Sequence, residues 1–155
     1  MTNPIVGILF GSPSDRDKMS QAAAILERFD VPFEMEAMSA HRNPERVHEY
    51  VLSAEDRGIQ VLIAGAGMAA HLSGVCAALT TLPVIGVPLS GGIVDGLDAL
   101  LSTVQMPRGV PVATVGVDQT ANAALLAVQI LAVADDQLKK KLHEFKAQLA
   151  EGLRL

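Results

Sequence analysis

The sequence predicts an α/β fold, a three-layer α/β/α sandwich around a parallel sheet. Three observations support this prediction: short apolar runs recur along the chain, helical patterns separate them, and polar or glycine-rich loops follow most of the runs. Continuous apolar runs are typical of parallel strands that are buried on both faces. Because right-handed crossovers leave few topologies for such a chain, we expect a flavodoxin-like strand order.

The first half of the chain predicts two strands, each followed by a loop and a helix. The strands are Ile5–Phe10 and the weaker Val31–Met38, and the first helix ends near Phe29. Ser14 or Asp15 is a suitable N-cap for that helix.

The second predicted helix runs from Pro44 to about Arg57. Proline favours the first helical position, and Asn43 suits the cap before it. Gly58 suits the stop at the C-terminal end. The boundaries of this helix therefore rest on three separate residues.

The second half predicts three further strands and four helices. In chain order these elements are strand Val61–Ala64, helix Leu72–Leu79, strand Val84–Val87, helix Leu97–Thr103, strand Val112–Val115, helix Ala121–Leu131 and an amphipathic helix within residues 135–155. The last helix carries an apolar stripe with lysines on its other faces. It either packs on its own sheet or contacts a neighbouring subunit, and we predict that it is an oligomer arm.

Length and composition predict a single domain that covers residues 1–155. Half of the residues are apolar, yet no apolar run reaches the roughly 18 residues of a membrane span. We expect no membrane association and no signal peptide. The apolar surplus favours a homo-oligomer, and a well-filled core is the alternative.

Cysteine content and charge narrow the expected partners and location. Cys76 is the single cysteine, so no intramolecular disulfide forms, and a reducing, cytoplasmic location is expected. The net charge is −5 and aromatic residues make up 3% of the chain. Nucleic-acid binding through basic patches and stacking is therefore not expected.

Four loops follow strands and should meet at one edge of the sheet, where ligands bind in such folds. They are residues 11–15, 39–43, 65–71 and 88–96. In the first loop, Ser12 and Ser14 lie at a helix N-terminus, which suits a phosphate. Asp15 would repel a phosphate and instead suits ribose hydroxyl groups. Ordinary helix capping explains this loop equally well.

The loop that contains Ser39, His41 and Arg42 places a proton carrier beside an anion-binding group. Histidine titrates near neutral pH, and arginine donates paired hydrogen bonds to phosphate or carboxylate. Considered alone, this loop is more simply a charged surface turn. Its position beside the other strand-end loops is what favours a site.

The loop at residues 65–71 combines small residues with His71. Its GxGxxA pattern is a weak match to a dinucleotide site, because it follows the third strand and no acid lies about 20 residues further on. We expect small residues such as Gly67 to let the backbone approach a ligand closely. Phosphate-binding P-loop, metal-ligand and GxSxG motifs are missing, so no cofactor and no metal are expected.

Taken together, the motifs resemble the N5-carboxyaminoimidazole ribonucleotide mutases, the bacterial-type (class I) catalytic subunits of phosphoribosylaminoimidazole carboxylase. The resemblance extends from about Ile5 to Leu131. The matching blocks are Gly11-Ser12-x-Ser14-Asp15, Ser39-Ala40-His41-Arg42-x-Pro44, Ala64-Gly65-Ala66-Gly67-x-Ala69-Ala70-His71-Leu72, Pro83–Pro88, Val104–Pro111 and Asn122–Ala127.

The resemblance implies an isomerase of de novo purine (IMP) biosynthesis that moves a carboxyl group from nitrogen to carbon of its ribonucleotide substrate. It also implies a homo-octamer with active sites at subunit interfaces. The resemblance implies that His41 is the general acid/base and that His71 is a second catalytic residue. Ser12, Asp15 and Arg42 become ribose-phosphate ligands, and Ser39 and Gly67 complete the predicted substrate-binding set.

The chain departs from the family pattern at several positions, none of them in the predicted site set. Met68 stands where glycine is usual, Ser73 stands where proline is usual, Val94-Asp95-Gly96 replaces a more familiar Leu-Ser-Gly, and segment 114–120 looks shorter. Two alternatives to the mutase stay open: direct carboxylation of aminoimidazole ribonucleotide with CO2, and a non-catalytic nucleotide-phosphate binding module.

Overall fold

A computed structural model describes residues 3–155 and contains a five-stranded parallel sheet with the order β2-β1-β3-β4-β5. This is the predicted flavodoxin-like order. The elements are β1 (Val6–Phe10), α1 (Arg16–Arg28), β2 (Phe33–Ala37), α2 (Pro44–Ala54), β3 (Val61–Gly67), α3 (Leu72–Leu79), β4 (Val84–Leu89), α4 (Leu97–Val104), β5 (Ala113–Thr114), α5 (Thr120–Leu131) and α6 (Asp136–Ala150).

Alternate residues of the central strands bury two hydrophobic clusters, one on each face of the sheet. Ile8 and Ile63 face a cluster that includes residues of α1, α5 and α6. Leu9 and Leu62 face the other cluster, to which α2 and α3 contribute. Since both faces of the central strands are covered, their sequences are apolar without alternation. The three-layer α/β/α prediction is confirmed.

The start of α1 differs from the predicted capping. A short 3-10 turn, Pro13–Asp15, precedes the helix, and the Ser12 hydroxyl accepts a hydrogen bond from the Ser14 N–H at 3.4 Å. Asp15 does occupy the N-cap position of α1, but its side chain makes no capping hydrogen bond. The carboxylate of Asp15 is therefore not occupied by helix capping and can accept hydrogen bonds from a ligand.

The boundaries of α2 follow from its sequence at the start and deviate at the end. Asn43 caps the helix, with its side-chain oxygen accepting from the Arg46 N–H at 3.3 Å. The helix ends at Ala54 rather than near Arg57, because the chain turns before Gly58, whose φ is +94°. A left-handed residue cannot continue the helix, and glycine adopts that conformation without strain.

Two strands differ in length from the prediction. β3 continues through Gly67, so it carries its small residues as far as the sheet edge. β5 contains only Ala113 and Thr114, which pair with Ile85 and Gly86 of β4. Pro111 lacks the N–H that a longer ladder would need, and β5 lies at the edge of the sheet.

Helix α6 packs its apolar stripe against its own chain. Leu138 and Phe145 are buried, and the rings of Phe145 and Phe29 meet edge to face with centroids 5.5 Å apart. Lys141 Nζ donates to Asp30 Oδ2 at 2.7 Å. This is the first of the two arrangements that the sequence left open, and a role of α6 in subunit contacts stays a prediction.

None of the helices formed by residues 3–155 has the length and apolar character that a membrane crossing requires.

Candidate active site

A cavity of about 650 Å³ opens at the carboxyl edge of the sheet, where the loops after β1, β2, β3 and β4 meet. All seven residues of the predicted site set line it: Ser12, Asp15, Ser39, His41, Arg42, Gly67 and His71. The flavodoxin-like order explains this convergence, because β2 and β3 flank β1 and β4 lies next to β3.

His41 and His71 face each other across the cavity wall. His41 Nε2 lies 2.7 Å from His71 Nδ1, and the two rings are nearly perpendicular. This contact is a hydrogen bond only when one of the facing nitrogens is bare, so one imidazole donates and the other accepts. The contact therefore fixes the two rings relative to each other at the edge of the cavity.

The His41 loop is held by its own backbone and side chains. The Asn43 N–H donates to the Ser39 carbonyl at 2.9 Å, and the Arg42 N–H donates to the Ser39 hydroxyl at 3.2 Å. Asn43 in turn caps α2. Ser39 thus closes the turn that presents His41, in addition to lining the cavity.

Arg42 connects two of the loops. Its Nη2 donates to the Gly11 carbonyl at 2.8 Å, which ties the β2 loop to the β1 loop. Among residues 3–155, no carboxylate lies within ion-pair distance of this guanidinium. The remaining guanidinium N–H groups suit an anionic ligand.

The β1 loop contributes two hydroxyl groups and a carboxylate. The Ser12 and Ser14 hydroxyls lie 2.9 Å apart, so one of them donates to the other. Burial raises the pKa of the Asp15 carboxyl, against the opposing effects of Lys18, the Ser12 backbone and Arg42. A partly desolvated carboxylate of this kind accepts strongly from hydroxyl groups such as those of a ribose.

Further residues line the cavity that the sequence did not single out for a site. Ser90, Gly91 and Gly92 form a wall that follows β4, and Ser14, which the sequence already places at a possible phosphate site, also lines the cavity. The glycine-rich character of segment 88–96 was the only sequence feature that pointed to this wall. Met68 also lines the cavity, with φ +56° at a position where glycine would be unstrained.

Residues 3–155 contain no group of three or more His, Cys, Asp or Glu side chains placed to hold a metal ion. The polar side chains that line the cavity in this part of the chain include the two histidines, Arg42, Asp15 and serine hydroxyls.

The parallel sheet and the polar cavity at its carboxyl edge define a flavodoxin-like α/β protein with a small-molecule site. The family described as AIR carboxylase matches residues 5–152, and the chain belongs to that family.

Individual relatives match over nearly the whole chain. An N5-carboxyaminoimidazole ribonucleotide mutase of Pyrococcus abyssi is 57% identical over 94% of this chain and 84% of its own length. A phosphoribosylaminoimidazole carboxylase of Saccharomyces cerevisiae is 55% identical over 94% of this chain, which matches 25% of that longer protein. The crystal structure of Treponema denticola PurE superposes with a TM-score of 0.87 at 29% identity, covering 96% of this chain and 92% of that one.

Proposed function

We propose that this protein isomerises N5-carboxyaminoimidazole ribonucleotide to 4-carboxy-5-aminoimidazole ribonucleotide in de novo purine biosynthesis. Membership of the AIR carboxylase family and the 57% identity to a named mutase support this function. The observation that carries the proposal is the His41–His71 hydrogen bond in the same cavity as Arg42. A proton carrier and an anion anchor are the two groups that this reaction needs.

Substrate binding is assigned to the loops after β1 and β2. Arg42 and the hydroxyls of Ser12 and Ser14 bind the phosphate, since they present donors at the cavity and Arg42 carries no competing ion pair within the described residues. Asp15 accepts hydrogen bonds from the ribose hydroxyls. Gly67 lies beneath the ligand as part of the floor that β3 contributes.

His41 then serves both halves of the carboxyl migration. It gives a proton to the exocyclic nitrogen, the N–C bond breaks with its electron pair staying on nitrogen, and CO2 is released into the cavity. The enamine carbon C4 attacks CO2 and forms the new C–C bond. His41 finally takes the proton from C4, so the enzyme returns to its starting state.

His71 supports this cycle through its contact with His41. When His41 has given up its proton, the 2.7 Å hydrogen bond holds the ring in one orientation. When His41 carries the proton, the facing nitrogen of His71 accepts from it and stabilises the cation. The small residues of β3 and its loop leave room in the cavity for the released CO2.

Direct carboxylation of aminoimidazole ribonucleotide is the second candidate function. It is favoured by the 55% identity to the named carboxylase of Saccharomyces cerevisiae. Both reactions share the attack of C4 on CO2 and differ in whether the enzyme accepts the N5-carboxylated compound. The distinction therefore lies in substrate choice on the same cavity.

The test compares the two substrates on the wild-type protein and on His41→Asn. The wild type is expected to consume the N5-carboxylated ribonucleotide much faster than aminoimidazole ribonucleotide with bicarbonate. His41→Asn is expected to lose roughly 10²–10⁴-fold in kcat while still binding the ribonucleotide. His143→Asn, an exposed histidine of α6, is the matched control and should keep wild-type turnover.

Three results would overturn these assignments. Faster turnover of aminoimidazole ribonucleotide with bicarbonate makes the protein a carboxylase. Wild-type turnover in His41→Asn would show that His41 is not the general acid/base. If the wild type binds the ribonucleotide without converting it, the protein is a binding module.

We also propose a cytoplasmic homo-octamer whose active sites lie near subunit contacts. The support is an exposed apolar face beside the cavity. Its α4 members Leu97, Leu101 and Val104 are 49%, 48% and 47% exposed, and Ile93 in the preceding loop is 97% exposed. Exposed apolar side chains at helical spacing on one face favour contact with a second copy. The single, buried, free Cys76 fits a reducing compartment.

A further inference from the structure

A lysine outside the predicted site holds one wall of the cavity. Lys18 Nζ, on α1, donates to the Ser90 carbonyl at 2.8 Å and to the Ser90 hydroxyl at 2.7 Å. Ser90 lines the cavity together with Gly91 and Gly92, whereas Lys18 itself does not. These two hydrogen bonds link α1 to the loop that follows β4.

Asp118 holds the same residue from the other side. Its Oδ1 accepts from the Ser90 N–H at 2.8 Å and lies 3.7 Å from Lys18 Nζ. The Asp118 N–H donates to the Pro88 carbonyl at 2.9 Å, just before the wall begins. Asp118 has φ +57°, a conformation that Asp and Asn tolerate better than most residues. The turn before α5 is therefore shaped around this contact.

The hydrogen-bonding capacity of Lys18 is used within the protein. An ammonium group has three donors. Two of them go to Ser90, and the third faces the Asp118 carboxylate. Lys18 therefore acts through Ser90 rather than on a ligand in the cavity.

The wall contains two glycines, so contacts with other parts of the chain are needed to keep it in one conformation. Gly91 and Gly92 have φ of +118° and +72°, and glycine has more conformational freedom to lose than any other residue. The Lys18–Asp118 pair is partly exposed, with side chains 40% and 39% accessible. Such pairs contribute little to global stability. The main effect of the Lys18–Asp118 pair is then local: the pair keeps segment 90–92 ordered.

We infer that Lys18 and Asp118 are positioning residues that fix the Ser90–Gly92 wall, so that the cavity is formed before the ribonucleotide binds. This inference rests on the proposed function for its substrate. A disordered wall would have to be ordered at the moment of binding, and that cost would raise KM more than it lowers kcat.

The test uses Lys18→Met and a matched control from the opposite end of the sheet. Lys141 pairs with Asp30 at 2.7 Å, and Asp30 also has a left-handed φ of +55°. Lys141→Met thus removes an equivalent Lys–Asp pair away from the cavity. Amide hydrogen exchange of segment 88–96 and steady-state kinetics are measured on each variant, with melting temperatures to compare global stability.

Lys18→Met is expected to speed exchange in segment 88–96 about 5-fold or more and to raise KM about 10-fold, with kcat within about 3-fold of wild type. Lys18→Arg keeps a cationic donor and should restore KM to within about 3-fold. Asp118→Asn keeps an acceptor for the Ser90 N–H and the left-handed backbone, so its effect should be intermediate. Lys141→Met should change neither exchange in segment 88–96 nor KM.

Wild-type exchange of segment 88–96 in both Lys18→Met and Asp118→Asn would overturn the inference, as would an equal KM rise in Lys141→Met. If Lys18→Met melts far below the wild type, the inference is decided on Asp118→Asn, by hydrogen exchange of segment 88–96 and by KM. If the wild type fails to convert the ribonucleotide, the proposed function fails, while hydrogen exchange still decides whether the wall is held by Lys18.

Discussion

At the scale of single residues, Ser73 of α3 carries a stability cost. Its hydroxyl is buried and has no hydrogen-bond partner among residues 3–155. A buried unpaired hydroxyl costs about 1–3 kcal/mol, so Ser73→Ala is expected to raise the free energy of unfolding by about 1 kcal/mol. The measurement is urea unfolding followed by circular dichroism.

Ser53 of α2 provides the matched control for this prediction. Its hydroxyl donates to the Tyr50 carbonyl at 3.1 Å and accepts from Arg57 Nε at 3.3 Å. Ser53→Ala should therefore lower the unfolding free energy slightly, where Ser73→Ala raises it. A loss of stability in both variants would contradict the assignment of an unpaired hydroxyl at Ser73.

The positions of the site residues could be predicted from the sequence, but the contacts between their side chains could not. Six of the seven predicted residues lie in or at the end of a loop after a strand, and Gly67 is the last residue of β3, so their convergence follows from the strand order. The His41–His71 hydrogen bond joins residues 30 apart, and the Lys18–Ser90 contact joins residues 72 apart. Contacts of this kind depend on side-chain directions across loops, which no local pattern encodes.

At the scale of elements, Glu34 anchors α2 and the turn after it to the edge strand β2. The Glu34 carboxylate accepts from Tyr50 Oη and from Arg57 Nη1, both at 2.5 Å. Burial alone would raise the pKa of Glu34, but the hydrogen bonds from Tyr50 and Arg57 and the charge of Arg57 outweigh it and lower the pKa. The ionised form is thus favoured by the folded state.

A pH dependence of stability follows from this shift. The contribution of Glu34 is present above its unfolded pKa, about 4.5, and is lost as pH falls through the lower folded value. Glu34→Gln is expected to cost about 1 kcal/mol at pH 7, because charged hydrogen bonds become neutral ones. The difference from wild type should shrink as the pH is lowered below about 4.5, as measured by urea unfolding at pH 7 and at a series of lower pH values.

Glu36→Gln serves as the control for this effect. Glu36 also pairs with an arginine of α2, Arg46, at 2.8 Å, but both side chains are about half exposed. Such a surface pair contributes little, so Glu36→Gln should change stability at pH 7 by less than Glu34→Gln. Equal losses of unfolding free energy in Glu34→Gln and Glu36→Gln would mean that the Tyr50 contact does not contribute to stability.

Element boundaries show the same division between local and tertiary determinants. The start of α2 was predictable from Asn43 and Pro44, which act within one turn. The two-residue length of β5 was not, since it depends on how far this edge strand runs beside β4. The partner of the α6 stripe was also undecided, because amphipathicity specifies an apolar face and leaves its partner open.

At the scale of the whole molecule, the exposed α4 face predicts self-association. Leu101 lies at the centre of this face, between Leu97 and Val104, on the side of α4 that is not buried against β4. Leu101→Glu would place a charge in the proposed interface, where desolvation is costly. Sedimentation velocity should show the wild type as an octamer and Leu101→Glu as smaller species.

Val133→Glu is the control, because Val133 is 89% exposed and lies in the turn after α5, away from the α4 face. It should keep the wild-type mass. The α4 face is continuous with the cavity through segment 90–96, so dissociation of Leu101→Glu should also reduce turnover. An unchanged octamer in Leu101→Glu would move the interface elsewhere, and a dissociated variant with full turnover would show that one chain completes the active site.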